Sequence, residues 1–203
     1  MRILAIDTAS DTLALACGVS GSQPALIARD GDREHSTRLL ALIDEVAAGS
    51  RDFGRICVVS GPGAYSGLRV GIATARGLAL ASGVSLVAVS THMAIAAVAN
   101  LDGSWLAIHP AGRGEFAVRE CTGDLCTGPL EALPGDRLHG KRVAGEGAGA
   151  LGGLEVDAIQ RVAAAFRLAP HAPDLEDAVY LRAPSITKPR GSALGLPQQE
   201  IRQ

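Results

Sequence analysis

Aromatic residues are scarce in this 203-residue chain, since Phe, Trp and Tyr together make up 3% of the sequence. Hydrophobic residues nevertheless reach 47%, and glycine occurs 25 times. The core must therefore be built from Ala, Val, Leu and Ile, with glycines that let backbones approach closely. A chain of this length forms one compact unit or two small lobes and buries roughly 70% of the surface that its unfolded form exposes.

The sequence also lacks blocks of basic residues: 19 Lys and Arg face 21 Asp and Glu, for a net charge of -2. With so few rings on which bases could stack, autonomous RNA binding is not expected. The longest apolar tract, residues 70–101, is interrupted by Arg76 and by Thr91–His92, which argues against a membrane span. The chain opens with a strand-like run at residues 2–6 instead of a signal peptide, which predicts a cytoplasmic location.

Cysteine and histidine lack the spacing of metal sites. Cys17 and Cys57 fall in apolar strand-like runs, where a buried thiol is expected. Cys121 and Cys126 have no second Cys or His pair nearby, so a zinc site is not expected. No two of the five histidines form a His-x3-His or His-Glu-x2-His pair, which makes a metalloprotease the least favoured function. His35 suits a polar helix end or an interface better than a catalytic base.

Strands and helices alternate along the first half of the chain. Apolar, β-branched runs predict strands over 3–6, 13–19, 24–29, 56–60 and 86–89. Apolar residues at helical spacing predict helices over 36–48, 66–82 and 91–100. Weaker patterns predict strands over 105–109, 115–121 and 142–144 and a helix over 158–168. The alternation predicts an α/β fold with mixed sheets flanked by helices.

The pattern changes after residue 101, where glycine-rich connections become frequent. We therefore predict an N-terminal lobe over 1–101, a smaller C-terminal lobe with a closing segment over 102–182, and a polar tail over 183–203 that is expected to be mobile. The glycine-rich segment 145–153 has no predicted role.

Asp7 and Thr8 follow the first predicted strand. A carboxylate and a hydroxyl beside turn amides are suited to a phosphate or its Mg²⁺. The preferred interpretation is an Asx-type turn in which both side chains satisfy local amides.

A second glycine-rich segment, residues 60–69, joins a predicted strand to a predicted helix. Free amides at the start of that helix are suited to holding an anion. No Gly-Lys-Ser/Thr follows the glycines, so the segment is not a Walker loop and its signal for phosphate is weak.

Small residues recur every fourth position in the helix over 66–82, at Gly67, Gly71, Ala75 and Ala79. Such a stripe lets another element approach closely. It fits packing against the protein's own sheet about as well as packing against a partner. Arg69 and Arg76 indicate a face that reaches water, which favours an interface.

Several segments resemble the TsaB (YeaZ) family. They are Ile3-Leu4-Ala5-Ile6-Asp7-Thr8-Ala9-Ser10, the His35–Leu40 run, the Gly61–Gly71 run and Val87–Thr91, with Gly114–Phe116 and Tyr180–Arg182 further on. The resemblance covers about the first hundred residues. It implies an actin-like, two-lobed fold of the actin, sugar-kinase and Hsp70 type, with a reduced second lobe.

The resemblance also implies a function. Family members are non-catalytic dimerisation and scaffold subunits for threonylcarbamoyl transfer to adenosine beside the tRNA anticodon. They bind and organise the catalytic relative TsaD, together with TsaE, and form homodimers when alone. Contact with tRNA is expected only through the complex, and contact with membranes is not expected. No firm cofactor is implied, although ATP or ADP with Mg²⁺ is a candidate in the assembled complex.

Two sets of site residues are predicted, one from the turn after the first strand and one from the resemblance. Asp7 and Thr8 are the weak candidates for binding a cofactor. The family's dimer helices match residues 36–48 and 66–82, and the implied interface comprises His35, Leu39, Leu40, Ile43, Tyr65, Gly67, Leu68, Gly71, Ile72, Ala75, Arg76 and Ala79. The metal-binding His-x3-His of the catalytic relative aligns with Thr91 and Ile95 here, so no catalytic residue is expected. A nucleotide-binding phosphohydrolase that uses Asp7 is the alternative function.

Overall fold

The computed structural model describes residues 1–30 and 35–181, and the side chains of residues 35–37 also lie outside the description. The strands are β1 (Arg2–Asp7), β2 (Thr12–Val19), β3 (Ala25–Asp30), β4 (Arg55–Val59), β5 (Ser85–Val89), β6 (Leu101–Gly112), β7 (Glu115–Gly123), β8 (Leu125–Cys126), β9 (Glu131–Pro134), β10 (Val143–Gly145) and β11 (Leu154–Glu155). The helices are α1 (His35–Val46), α2 (Tyr65–Ser82), α3 (Thr91–Ala99) and α4 (Ala158–Leu168), with 3-10 turns at Gly135–Leu138 and Gly149–Leu151. The predicted tail 183–203 and Arg182 lie outside the described residues.

The first sheet has the strand order β3-β2-β1-β4-β5. β1 pairs with β2, and β2 with β3, in antiparallel fashion. β4 and β5 add parallel to the other side of β1. Parallel neighbours need a crossover, which α1 supplies between the hairpin and β4, and α2 between β4 and β5. The predicted strands 3–6 and 13–19 form an antiparallel hairpin, and the predicted strand-helix alternation is confirmed.

Successive residues of β1 and β2 point to opposite faces of this sheet and build two separate cores. One face carries Leu4, Ile6, Leu13 and Leu15, which pack against α1 and α2. The opposite face is built mainly from alanine and valine and packs against α3 and α4. Because its side chains are so small, α4 lies close to the strands. The predicted core of small aliphatic residues is confirmed.

The second sheet has the order β11-β10-β6-β7-β8, and β9 also pairs with β7. β6 and β7 form a long antiparallel hairpin, whereas β10 and β11 add in parallel. Both sheets are therefore mixed, as predicted. α4 follows this sheet in sequence but packs on β1 and β2 of the first sheet, so it ties the two predicted lobes together.

The strands β8, β9 and β11 were not predicted from the sequence. β8 is only two residues long, and Cys126 within it forms a disulfide with Cys121 of β7. The pair shares a hairpin, with Cys121 opposite Cys126 in the strand register. Cys17 and Cys57 are buried free thiols, as predicted, and burial raises the pKa of Cys57 to about 12.

The chain after α4 runs along the outer edge of β5. The Ala88 amide donates to the Pro173 carbonyl and the Leu175 amide to the Leu86 carbonyl. An open strand edge is a template for unwanted pairing, and this segment covers part of it. None of the helices within residues 1–30 and 35–181 has the length and apolarity needed to cross a membrane.

The small-residue stripe of α2 lies beneath the molecule's own first sheet. A Cβ atom on Gly71 would overlap Thr8 Oγ1, and one on Gly67 would overlap the Thr8 carbonyl oxygen. Ala75 and Ala79 are buried in the same layer. The predicted use of this stripe as an interface is therefore wrong, because the residues after β1 already occupy the space that a partner would need.

Gly71→Ala is expected to lower the free energy of unfolding by about 1–3 kcal/mol, because the new methyl group meets the buried, β-branched Thr8. Gly77→Ala is the matched change on the exposed side of α2, where no atom lies within 4 Å of the new methyl group. It is expected to raise the free energy of unfolding by up to about 1 kcal/mol, because alanine favours helix. Urea unfolding followed by circular dichroism measures both, and equal effects would contradict this packing.

Candidate functional site

Asp7 ends β1 and is fully buried. Its Oδ1 accepts a hydrogen bond of 2.8 Å from the Ala9 amide, so the predicted Asx-type turn is confirmed for Asp7. Its Oδ2 accepts a bond of 2.9 Å from Nε of Arg161. Thr8 is also buried, and its Oγ1 makes no hydrogen bond within the described part of the chain.

Arg161 reaches Asp7 from the buried face of α4. Besides Asp7, its guanidinium donates to Glu146 Oε2 at 2.6 Å and to Ser10 Oγ at 3.0 Å. Burial lowers the pKa of Arg161, but the charges of Asp7 and Glu146 outweigh burial and hold that pKa above its ordinary value. Arg161 is therefore a permanent internal cation, and a buried cation of this kind must keep its carboxylate partners.

His109 lies on β6 with 1% of its surface exposed. Its Nε2 is 3.1 Å from the Ala9 carbonyl oxygen. Because a carbonyl only accepts, Nε2 must carry the proton. Burial and the nearby Arg161 charge lower the pKa of His109 to about 3, so the ring is neutral. Nδ1 is then an acceptor and lies 3.8 Å from Glu146 Oε2, but the two groups do not form an ion pair. Within residues 1–30 and 35–181, Nδ1 has no hydrogen-bond partner.

The glycine-rich segment 145–153 places Glu146 at this network. The amides of Gly147 and Gly149 both donate to the Glu155 carboxylate at 2.8 Å. The backbone of Gly145 runs so close to the Ile108 carbonyl that a Cβ atom would overlap it. Only glycine allows that approach together with the φ of +141° found there, so the segment is a tight loop that turns Glu146 toward Arg161.

The glycine loop before α2 packs against the turn after β1. The Ala64 amide donates to the Ala9 carbonyl at 2.6 Å, and Gly63 lies against Ala9. The Ala9 carbonyl thus accepts from both Ala64 and His109. The Ala64 amide, which the sequence analysis expected to be free for an anion, is therefore bonded within the protein. This weakens the prediction of a phosphate site further.

A cleft of about 500 Å³ opens between the two sheets beside this network. It is lined by the turn Ala9–Asp11, the loop 62–65, residues 109–112 of β6, and Ala117, Glu146, Tyr180 and Leu181. The Tyr65 and Tyr180 rings stand 5.1 Å apart at their centroids. Asp7 and Arg161 are both fully buried and neither lines the cleft.

The residues present do not fit the Mg²⁺ or nucleotide site predicted at Asp7 and Thr8. Both carboxylate oxygens of Asp7 are engaged, one by an amide and one by a guanidinium. A divalent cation prefers several oxygen ligands in an open shell, and Arg161 takes that place with its own charge. In residues 1–30 and 35–181, no group of three His, Cys, Asp or Glu side chains is placed to hold a metal ion.

Most of the predicted interface residues are core residues. Leu39, Ile43, Leu68 and Ile72 are buried in the chain's own core, like the stripe of Gly67, Gly71, Ala75 and Ala79. Leu40 and Tyr65 are 45% and 40% exposed, and Arg76 is exposed and donates to the Glu176 carbonyl. The side chain of His35 lies outside the described residues. The exposed surface of α2 instead contains Ala73, Gly77 and Leu80, the last with 86% of its surface accessible.

The two positions aligned with the catalytic relative's histidines are built into the interior. The Thr91 hydroxyl donates to the Pro62 carbonyl at 2.7 Å, and Ile95 is fully buried. His92 lies between them and is fully buried. Its Nε2 faces the Ala117 carbonyl at 3.0 Å, and burial lowers its pKa to about 4. These contacts are structural.

The family model described as "TsaD: tRNA N6-adenosine threonylcarbamoyltransferase" matches residues 8–124. The chain is 35% identical over 109 residues to TsaB, the tRNA threonylcarbamoyladenosine biosynthesis protein of Escherichia coli, a match that covers 52% of this chain and 45% of that protein. It is 32% identical over 120 residues to Bacillus subtilis TsaB, with 57% and 52% covered. The chain thus spans about half the length of the curated relatives it matches.

Solved structures share the fold. A Pseudomonas aeruginosa protein described as similar to peptidase YEAZ superposes with a TM-score of 0.70 at 22% identity, covering 89% of this chain and 99% of that one. YeaZ from Pseudomonas aeruginosa superposes with a TM-score of 0.65, also at 22% identity, covering 83% and 90%. The predicted resemblance to TsaB (YeaZ) and the predicted α/β class of two mixed sheets flanked by helices are confirmed.

Sequence reasoning missed Arg161, His109 and Glu146. A signal for Arg161 was present, because it falls three residues after Ala158 and four before Ala165, on the apolar face of α4. A basic residue on a buried face requires a carboxylate partner. Nothing local marks that partner as Asp7, which lies 154 residues away in the chain.

Arg161→Met is expected to lower the free energy of unfolding by about 3–5 kcal/mol, because it leaves the buried Asp7 without its cation. Adding Asp7→Asn should recover part of the loss, so a double-mutant cycle in urea unfolding should show coupling between the two sites. Arg167→Met, on an exposed position of the same helix, is the control. A loss no larger than that of the control would contradict a structural role for the pair.

Acid is expected to weaken the fold through the two buried histidines. Their folded-state pKa values of about 3 and about 4 lie below the ordinary value of 6.5, so between these limits only the unfolded chain binds the protons. Stability is therefore complete above about pH 7 and falls as the pH drops, by up to about 2 kcal/mol per histidine at pH 5.

Urea midpoints at pH 7.5 and pH 5 measure this loss. The double variant His92→Gln/His109→Gln should show a smaller difference between the two pH values, whereas His139→Gln, at an exposed position, should behave like the parent. A parent whose stability is the same at both pH values would refute the assignment of two neutral buried rings.

Proposed function

Because the chain belongs to the family described as TsaD, tRNA N6-adenosine threonylcarbamoyltransferase, we propose that it is a non-catalytic subunit of that tRNA modification. It supports threonylcarbamoyl transfer to adenosine beside the tRNA anticodon by binding and orienting a catalytic TsaD. Its named relatives in Escherichia coli and Bacillus subtilis are biosynthesis proteins called TsaB. The observation that supports the non-catalytic role is the ion pair between Arg161 and Asp7, because Asp7 is the residue that was the candidate for catalysis.

Arg161 disfavours phosphoryl chemistry at Asp7 for an electrostatic reason. A catalytic aspartate must offer a free oxygen to Mg²⁺ or to a reacting group. Here the guanidinium neutralises Asp7 at 2.9 Å and is anchored a second time by Glu146. If Asp7 released Arg161 to bind a metal ion or a substrate, buried opposite charges would be separated, which costs several kcal/mol. Asp7 therefore serves the fold, and the alternative of a nucleotide phosphohydrolase loses its candidate group.

The docking surface we propose is the outer side of the α1–α2 layer. It comprises Leu40 of α1 and Ala73, Gly77, Leu80 and Ala81 of α2, all of them exposed. A nearly fully exposed leucine beside small residues offers an apolar knob and a flat groove, which suit ridge-into-groove packing by a helix of the partner. This surface replaces the buried stripe as the face that a partner can reach.

TsaD is the proposed principal occupant of this surface, and a second copy of the chain occupies it when TsaD is absent. TsaE joins the pair, and tRNA is contacted only through the assembly, because the chain carries no net positive charge of its own. Any ATP or ADP with Mg²⁺ in that assembly belongs outside the Asp7 position. A cytoplasmic location follows from this role.

Leu80→Glu is expected to weaken binding to TsaD at least tenfold, because it places a charge where the partner must exclude water. Titration calorimetry with purified TsaD measures the affinity, and the yield of threonylcarbamoyladenosine in a reconstituted reaction should fall with it. Leu125→Glu, at a 54% exposed leucine of β8, is the matched control and should bind like the parent.

The two parts of this proposal fail separately. Unchanged TsaD binding by Leu80→Glu would refute the docking surface alone. No TsaD binding by the parent chain would refute the subunit role. ATP hydrolysis by the isolated chain that Asp7→Ala abolishes would favour the phosphohydrolase.

A further inference from the structure

The cleft between the sheets has a negative lining. Asp11 and Glu146 are among its lining residues, and none of the described residues that line it is Lys or Arg. Buried Arg161 pairs with Asp7 at 2.9 Å and with Glu146 at 2.6 Å. Asp7, Asp11 and Glu146 each carry a negative charge against the one positive charge of Arg161, so this region keeps a net negative charge, which repels phosphate and attracts cations.

At the inner wall, His109 Nδ1 faces Glu146 Oε2, which already accepts a hydrogen bond of 2.6 Å from Arg161 Nη1. His109 Nδ1 is an acceptor, because Nε2 carries the ring proton for the Ala9 carbonyl. It lies 3.8 Å from Glu146 Oε2 and has no hydrogen-bond partner among the residues that the structure describes, although His109 is 1% exposed. A buried acceptor without a donor destabilises the folded state. One N–H-bearing group in contact with both atoms removes that cost.

The mouth of the cleft suits an organic cation as well. Tyr65 and Tyr180 line it as a tilted pair. The guanidinium of Arg69 lies 5.4 Å from the Tyr65 ring centroid, a cation–π contact of the kind that these tyrosines can offer to a ligand. Alanine and proline form most of the remaining lining, so a cationic head on an apolar stem is complementary to the whole cleft.

We infer that the cleft binds an ammonium or guanidinium group, which donates hydrogen bonds to His109 Nδ1 and to the Glu146 carboxylate. The group can belong to a free alkylamine or to a basic side chain of a partner protein, since the recognition chemistry is the same. This site is independent of the docking surface on α1 and α2, so it stands whether or not the chain binds TsaD.

The test is an NMR titration of the ¹⁵N-labelled full chain with ethylguanidinium, which should bind saturably and shift the ¹⁵N resonance of His109 Nδ1. Ethylurea has nearly the same shape and also donates N–H bonds, but it lacks the charge, and it should bind at least tenfold more weakly. AMP, as an anionic probe, should cause no shifts in the cleft. Equal binding of ethylurea, or tighter binding of AMP, would overturn the inference.

Variants locate the binding. Glu146→Gln and His109→Gln should each weaken ethylguanidinium binding at least tenfold, and glutamine at 109 can still donate to the Ala9 carbonyl. Asp11→Asn, at an exposed lining position, removes one charge without touching the buried network and should weaken it severalfold. Glu131→Gln, an equal charge change outside the cleft, should have no effect.

A second pair of variants and a peptide titration complete the experiment. If Glu146→Gln and His109→Gln unfold, the affinities of Asp11→Asn and Glu131→Gln for ethylguanidinium are compared instead. Equal affinities of these two variants would refute the site. A Gly-Arg-Gly peptide that binds more tightly than ethylguanidinium assigns the site to a partner's side chain, whereas weaker binding of the peptide assigns it to a free amine. Absence of saturable binding by either cation would refute the site as well.

Discussion

The buried pair of Asp7 and Arg161 is the constraint around which the rest of this molecule is arranged. Asp7 ends the central strand of the first sheet, and Arg161 comes from the last helix, 154 residues later. The pair therefore fixes α4 on the sheet through charge as well as through apolar contact. Because neither partner can be removed without leaving a buried charge, this ion pair holds the end of β1 and α4 together.

Small residues serve two different purposes on α2, and only geometry separates them. Gly67 and Gly71 admit Thr8, so they are required by the protein's own interior. Gly77 faces open space, where no such requirement exists. Residues two apart on a helix point in nearly opposite directions, so Arg69 marks the side away from Gly67 and Gly71. Arg69 and Arg76 do mark a water-exposed side of α2, as predicted. That side contains Gly77 and Leu80, whereas the predicted small-residue stripe lies on the buried side.

The elements of the first sheet could be predicted from the sequence because they are local. The strands β1 to β5 and the helices α1 to α4 each carry their own periodicity and their own ends, such as Gly83, whose φ of +66° closes α2. The short strands β8 and β11 could not be predicted, since two residues contain no periodicity. The site escaped prediction for another reason: Asp7, His109, Glu146 and Arg161 meet only after distant segments fold, and no sequence pattern records that meeting.

One short turn, residues 7–9, connects the proposed docking surface on α1 and α2 with the cleft between the sheets. Thr8 lies under α2, whose outer side is the proposed docking surface, while its neighbours Asp7 and Ala9 hold Arg161 and His109 at the cleft. β-Branched Thr8 is buried and stiff at χ1, and the glycines that contact it leave no free space. A partner that shifted α2 would have to move this turn and disturb a buried ion pair. The cost of that disturbance favours rigid docking, in which the chain offers its partner a surface that is already formed.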